Sequence, residues 1–351
     1  MVGNMTEKLK EIHSKMGDEL SKQIFLMRLN HSISGRDSYI ENMVDIAVRS
    51  NRDWKDFLDV MNKYFENMVL FGNGIWGGIL QSEFKNIHWK AIIDNSLKYK
   101  SKGEFSVIYA SDYLSNYQDE KIVISSYKNR DEMITQCLEA GVPESNIIDA
   151  ATVIYKLTEG KIYFDEDISI RPCNGLFIDG GCYDGSDTLR YLGEYKGRAL
   201  CFEPDERNIE KIHKRLSETV FGKYRIVSKA LWNSETELGF AEGGNCGSHI
   251  VSKVEGATKI QAGTIDTEAG EENVSMIKMD IEGSELEALK GAKNVIGRDR
   301  PILAISVYHK PEDIVEIPDY ILRLYGGYRL YLRHYSFSWY DTVLYAVPEE
   351  T

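Results

Sequence analysis

The chain has 351 residues, 42% of them apolar, and a formal net charge of −13. That length suits two domains with a helical extension, each able to bury a core, and the acidic balance argues against nucleic acid as a substrate, because a phosphate backbone needs a basic face. No run is apolar enough to cross a bilayer, no signal-peptide pattern opens the chain, and the cysteines (Cys137, Cys173, Cys182, Cys201, Cys246) form neither a CxxC pair nor a Cys/His metal spacing, so the expectation is a cytoplasmic protein with reduced thiols and no membrane insertion.

Residues 1–66 read as a helical N-terminal segment. Leu9, Ile12, Met16, Leu20, Ile24 and Met27 recur every three or four residues and form one apolar stripe. Tyr39, Met43 and Ala47, then Trp54, Phe57, Leu58 and Met61, give two further helical stretches, of core or partner-helix character. From residue 67 the period changes. "NMVLFGNGIWGGIL" is a strand, a G-x-G-x-x-G turn (Gly72, Gly74, Gly77) and a helix start, and "WKAIIDN" is a second strand ending in Asp94. With "FSVIYASDYL" and "KIVISSYKNRDEMITQCLEAGV", this predicts a small Rossmann-like α/β domain over 67–165. Its glycines and Asp94 match a dinucleotide fingerprint in outline. The turn reads either as a second nucleotide site, suited to the handle of a nucleotide-linked sugar, or as a scaffold.

The alternation restarts over 172–351. Strands are expected at "LFIDG", "RALCFEP", "YRIVSKAL", "SMIKMDI" and "PILAISVYH", and helices at Asp205–Leu216, Ser284–Ala292 and Pro311–Tyr325. "YRLYLRHYS" and "DTVLYAVP" close the chain as adjacent strands joined by a short turn. The class is α/β: two Rossmann-like domains, the second a parallel sheet with a terminal antiparallel hairpin.

In such a sheet ligands bind at the carboxyl ends of the strands. There "FIDGGCYDGSDT" supplies Asp179, Gly181 and Gly185, and the next strand ends in Glu203. A carboxylate at the second strand end accepts hydrogen bonds from ribose hydroxyls. Asp179 would repel a pyrophosphate but suits the ammonium of a methionine moiety, so the pair of acids favours S-adenosylmethionine over NAD.

"FIDGGCYDGSDT", "CFEPD", "IKMDIEGSELEALKGA" and "RPILAISVYHKPED", in that order, resemble the FkbM-type S-adenosylmethionine-dependent methyltransferases over 174–348. The resemblance implies a class I methyltransferase fold, with a seven-stranded sheet and an antiparallel last strand. It also implies methyl transfer to oxygen, commonly a hydroxyl of a sugar or a glycosylated product. Gly180 stands where the family more often has an apolar residue, and Cys182 where it usually has Ala. On this basis the cofactor contacts are Asp179, Gly180, Gly181, Tyr183, Gly185 and Thr188, then Glu203, Pro204, Asp205, Ala230 and Asp280.

For the chemistry, Asp280 ends a strand beside the first one, with Lys278 on the same face and as a neutralising partner, and Glu282 in the turn. Ser284 and Glu287 match a capping box, and Glu285 favours the helix dipole. His309 ends the following strand and is read as a base or acceptor contact. Asp280, Glu282 and His309 could also hold a divalent metal that acidifies the hydroxyl; no metal is assigned. His249 is a weaker site residue, and the tail aromatics Tyr335, Phe337, Trp339 and Tyr340 read as core. The expectation is an O-methyltransferase acting on a hydroxyl of a sugar, glycan or glycosylated metabolite, with a homo-oligomer as an open alternative to a monomer. Two readings compete with it: an NAD- or nucleotide-sugar-binding oxidoreductase using the Gly72 loop, and a non-catalytic nucleotide-binding scaffold.

Overall fold

Ile12, Ile24 and Phe25 are buried and turn two helices inward, α1 (Met5–Lys15) and α2 (Glu19–Ser34). The stripe expected from Leu9 to Met27 is therefore carried by two helices. Between them Met16 pairs with Leu330, and the Asp18 carboxylate caps α2 by accepting from the Ser21 amide at 2.8 Å. Helix α3 (Ser38–Val44) follows. This computed structural model describes residues 5–96, 107–168, 170, 174–195, 197–217, 222–241, 249–251 and 258–349. The chain divides into two compact units, Met1–Ala47 with Ile162–Thr351, and Val48–Lys161. The helical stretch 1–66 is thus shared between the two.

The smaller unit holds helix α4 (Arg52–Lys63) and five parallel strands. These are β1 (Met68–Phe71), β2 (Trp89–Asp94), β3 (Val107–Tyr109), β4 (Lys121–Ile124) and β5 (Ile147–Asp149), in the order β3-β2-β1-β4-β5. Helices α5 (Ile75–Glu83), α6 (Ala110–Leu114), α7 (Arg130–Glu139) and α8 (Ala150–Leu157) connect or follow them. Val69, Phe71, Ile93, Ile122 and Ile124 form its core, and β1 is buried along its whole length, as expected of a parallel strand covered on both faces.

The larger unit is built on seven strands. In chain order they are β6 (Leu176–Gly180), β7 (Arg198–Phe202), β8 (Tyr224–Val227), β13 (Val274–Met279), β14 (Ile302–Ser306), β15 (Tyr328–His334) and β16 (Thr342–Pro348). Across the sheet the order is β15-β16-β14-β13-β6-β7-β8, and β16 alone runs against its neighbours. This is the seven-stranded arrangement with a terminal hairpin that the sequence predicts. A second sheet, ordered β11-β10-β12-β9, comprises β9 (Ala230–Leu231), β10 (Thr236–Ala241), β11 (His249–Val251) and β12 (Thr258–Gly263). Helices α9 (Ser186–Glu194), α10 (Glu206–Leu216), α11 (Ile265–Ala269), α12 (Glu285–Lys290), α13 (Lys293–Asp299) and α14 (Asp313–Leu324) complete the unit. No described helix is long and apolar enough to cross a membrane.

His334 lies in this core beside Thr342, with Nδ1 2.9 Å from the threonine hydroxyl. Burial and the nearby Arg28 charge push its imidazole down to about 3. A histidine folded in its neutral form contributes stability that is complete above its unfolded value near 6.5 and is lost as pH falls from there toward 3. The urea midpoint of the wild type is therefore expected to fall faster between pH 7.5 and 5 than that of His334→Asn. Parallel pH profiles would refute this role.

Candidate active site

Lys278 and Asp179 are direct partners in the parallel register of β13 and β6. Their side chains consequently meet inside the sheet edge, with Lys278 Nζ 3.0 Å from Asp179 Oδ1, 2.9 Å from the Gly181 carbonyl and 3.4 Å from Asp187. The second Asp179 oxygen accepts from the Thr188 hydroxyl at 2.7 Å. Asp179 is 0% exposed. This corrects the expected pairing of Asp179 with a cofactor ammonium: its charge is already balanced by Lys278, and it reaches no solvent. Thr188 is likewise buried beneath the loop and is placed to hold Asp179. Burial works against the Lys278 charge, but Asp179, Asp187 and Asp280 together raise its pKa above the ordinary lysine value.

Above this pair the glycine loop folds tightly. Gly181 adopts φ 73°, and a Cβ there would stand 2.0 Å from the Asp280 carbonyl oxygen, so no side chain fits. Gly185, at φ 80°, precedes α9. The amides of Gly181 and Cys182 both donate to the Phe202 carbonyl. Gly180 is buried against Leu231. Tyr183, with φ 52° and an exposed ring, donates its amide to Glu203 at 2.9 Å. The other Glu203 oxygen accepts from the Asp205 amide and from Asn208. Glu203 thus ties the loop to the start of α10; burial raises its pKa, against those hydrogen bonds. Pro204 is half-buried, Asp205 caps α10, and Ala230 is buried in β9.

The third group gathers at the tips of β13 and β14. Asp280 accepts from the Tyr163 hydroxyl at 2.8 Å and from the Tyr308 hydroxyl at 3.1 Å. His309 Nε2 lies 3.4 Å from Asp280 and 3.4 Å from Glu282, and Nδ1 lies 2.9 Å from Glu285. Glu282 holds φ 56°, which turns the loop between β13 and α12. Burial opposes a charge on the imidazole, yet Glu285, Asp280 and Glu282 lift His309 to about 9. That shift weighs against His309 as the base and leaves its other reading, an acceptor contact, in place.

One more expectation is revised here. The Ser284 side chain makes no capping bond, so the capping box is not formed; Glu287 binds Lys290 and Asn233. Glu285 stands in the first turn of α12, as expected, and is also fully buried, accepts from the Ile281 amide at 2.9 Å and faces His309. Lys278 pairs with Asp179 and Asp187, and the Asp280 charge acts on it from nearby. Of the tail aromatics, Tyr335 is core and donates to Asp165, whereas Trp339 is half-exposed against Tyr308. The side chain of His249, and the residues Cys173 and Cys246, lie outside the described residues.

Sequence reasoning missed Tyr163, Tyr308, Glu285 and Arg28. Tyr163 stands in an aperiodic connector at φ 64°, and Arg28 arrives from α2, where its guanidinium donates to the Trp339 and Tyr308 carbonyls. No local pattern marks either. Tyr308 directly precedes His309, which was the available signal.

In the smaller unit, Gly72 (φ 109°) and Gly77 serve one close approach, since a Cβ on Gly77 would lie 2.2 Å from the Gly72 carbonyl. Gly74 starts α5 and is exposed. Asp94, assigned to a ribose by the fingerprint, accepts from the Asn73 and Ser96 amides at 2.7 Å each, which accounts for both of its oxygens.

Residues 179–336 match the methyltransferase FkbM domain. The 2-O-methyltransferase NoeI of Sinorhizobium fredii is 24% identical over 148 residues, which cover 36% of this chain and 60% of that protein, less than two thirds of its length. Among solved structures, a methyltransferase FkbM from Methylobacillus flagellatus aligns at TM-score 0.46 and 19% identity over 90% of this chain and all of that one. A putative methyltransferase from Streptococcus mutans in complex with SAH aligns at TM-score 0.33 and 12% identity, over 51% of this chain and 92% of that one.

Proposed function

Given that residues 179–336 match the methyltransferase FkbM domain, we propose that the chain transfers the methyl group of S-adenosylmethionine to a hydroxyl of a sugar, glycan or glycosylated metabolite. The observation that carries this reading is the position of Asp280. It sits at the tip of β13 against the backbone of Gly181, and two phenols fix its carboxylate. The glycine loop offers backbone for close approach of a nucleoside, and Glu203, at the end of β7 and bonded to the Tyr183 amide of that loop, is the acid we assign to the ribose hydroxyls. The relative's printed activity, 2-O-methylation, supports transfer to oxygen.

Methyl transfer needs the acceptor oxygen in line with the sulfonium carbon, and positioning supplies much of the rate. The hydroxyl proton leaves as the C–O bond forms and the C–S pair returns to sulfur. Asp280 is the acceptor for that proton, because Tyr163 and Tyr308 donate to it and orient it, while the carboxylates around His309 raise its pKa above the ordinary histidine value.

Calorimetry with S-adenosylhomocysteine and NAD, followed by a radiolabelled methyl screen of nucleotide sugars and glycans, tests the reading. Binding of the first ligand and label in a hydroxyl product are expected; NAD binding alone, or no labelled product from any glycan pool, overturns it. Glu203→Ala should weaken S-adenosylhomocysteine at least about tenfold, or roughly 1.4 kcal/mol. An unchanged affinity would remove Glu203 from the cofactor site.

A further inference from the structure

The His309 ring is 7% exposed, Nδ1 and Nε2 both lack a hydrogen-bond partner, and Nε2 is the one that faces the outer carboxylates. A buried, unpartnered ring nitrogen loses solvation without return. This one points between two carboxylates, 3.4 Å from Asp280 Oδ1 and 3.4 Å from Glu282 Oε2. On the far side of the ring, Nδ1 lies 2.9 Å from Glu285 Oε1, and Glu285 is fully buried. Donor atoms of Asp280, Glu285 and His309 all fall within 4.8 Å of one another. Three carboxylates face one imidazole here, and Lys278 is already taken up by Asp179 and Asp187.

We propose that this cluster is a divalent-cation site, with His309 Nε2, Asp280 and Glu282 as the ligands and Glu285 as the residue that orients the imidazole. The donor set is one nitrogen and two carboxylates, which suits a first-row divalent ion such as Mn²⁺ or Zn²⁺. Ligands bound at about 2.0–2.2 Å stand roughly 3.0–3.5 Å apart, which the two spacings from Nε2 match, while Asp280 and Glu282 would draw together around the ion. Glu285, 2.9 Å from Nδ1, stands where second-shell acids stand at metal-bound histidines. Asp280 and Glu282 are 28% and 33% exposed, which leaves the outer side of the ion open to an incoming oxygen. On the transferase reading, on which this role rests, the acceptor hydroxyl binds there and ionises more readily. Its proton passes to Asp280 or to water, its electron pair bonds the methyl carbon, and the C–S pair returns to sulfur.

The test is titration of Mn²⁺ alone into the metal-stripped full chain, followed by electron paramagnetic resonance and calorimetry. One saturable site is expected. Glu282→Gln and His309→Ala should each weaken it at least about tenfold, and Glu285→Gln by about 10–100-fold. Absence of saturable binding, or equal affinity in wild type and variants, overturns the proposal. If His309→Ala does not fold, Glu282→Gln, at a partly exposed position, decides the matter. S-adenosylhomocysteine binding to the same stripped protein is read separately, so failure of the metal site and failure of the transferase reading are distinguishable.

Discussion

Replacing Lys278 by methionine is expected to cost about 3–5 kcal/mol of folding stability, seen as a large drop in the urea midpoint. The ammonium is almost completely buried and holds Asp179 at 3.0 Å, Asp187 at 3.4 Å and the Gly181 carbonyl at 2.9 Å. Methionine fills similar volume but leaves the Asp179 carboxylate inside the protein with only the Thr188 hydroxyl beside it. Such an orphaned charge is far more costly than loss of the pair as a whole. The double variant Lys278→Met with Asp179→Leu should therefore recover a substantial part of the loss. An unchanged midpoint in the single variant would show that these groups are not buried ions. The glycine loop hangs from Lys278 through Gly181, so cofactor binding should fall together with stability.

The second large effect belongs to Asp280. Asp280→Asn is expected to lower kcat by about 10²–10⁴, the usual range for loss of a positioned proton acceptor, while S-adenosylhomocysteine affinity changes far less. Asparagine keeps the shape and still accepts from one of the two phenols, which bind different carboxylate oxygens, but it can take no proton. The comparison of kcat with cofactor affinity matters because Asp280 also touches the glycine loop through its backbone. A kcat within about threefold of wild type would assign the proton to another group.

The larger sheet was legible in the sequence because each of its strands is an apolar run ending in an acid, a glycine or a turn. "LFIDG" and "SMIKMDI" lie side by side where the strand order reverses, as in other parallel α/β sheets, and the hairpin follows from two adjacent runs. The roles of the charged residues were less legible. Asp179 looked like a ligand group because a sequence shows an acid at a strand end without showing that Lys278, 99 residues later, lands opposite it. The same blindness to register hid the fate of Glu285, whose first-turn position is ordinary and whose burial against His309 is not. His309 was found, but its surroundings were not, since they come from Asp280, Glu282 and Glu285 in a different strand–helix turn.

Arg28 and Tyr163 carry a practical meaning for anyone who trims this chain. A fragment beginning at residue 172 would retain all seven strands of the larger sheet and the whole family match, and would pass for a minimal enzyme. It would nevertheless lack the guanidinium that clasps the Tyr308 and Trp339 carbonyls, the Asp18 partner of Arg333, and the phenol that steadies Asp280. The larger unit is discontinuous along the polypeptide, with its opening 47 residues returning to join residues 162 onward after a detour of 48–161. A shortened version that keeps these contacts has to excise that detour and splice the two flanks, because a cut made at the family boundary severs the seven-stranded sheet from its own supports.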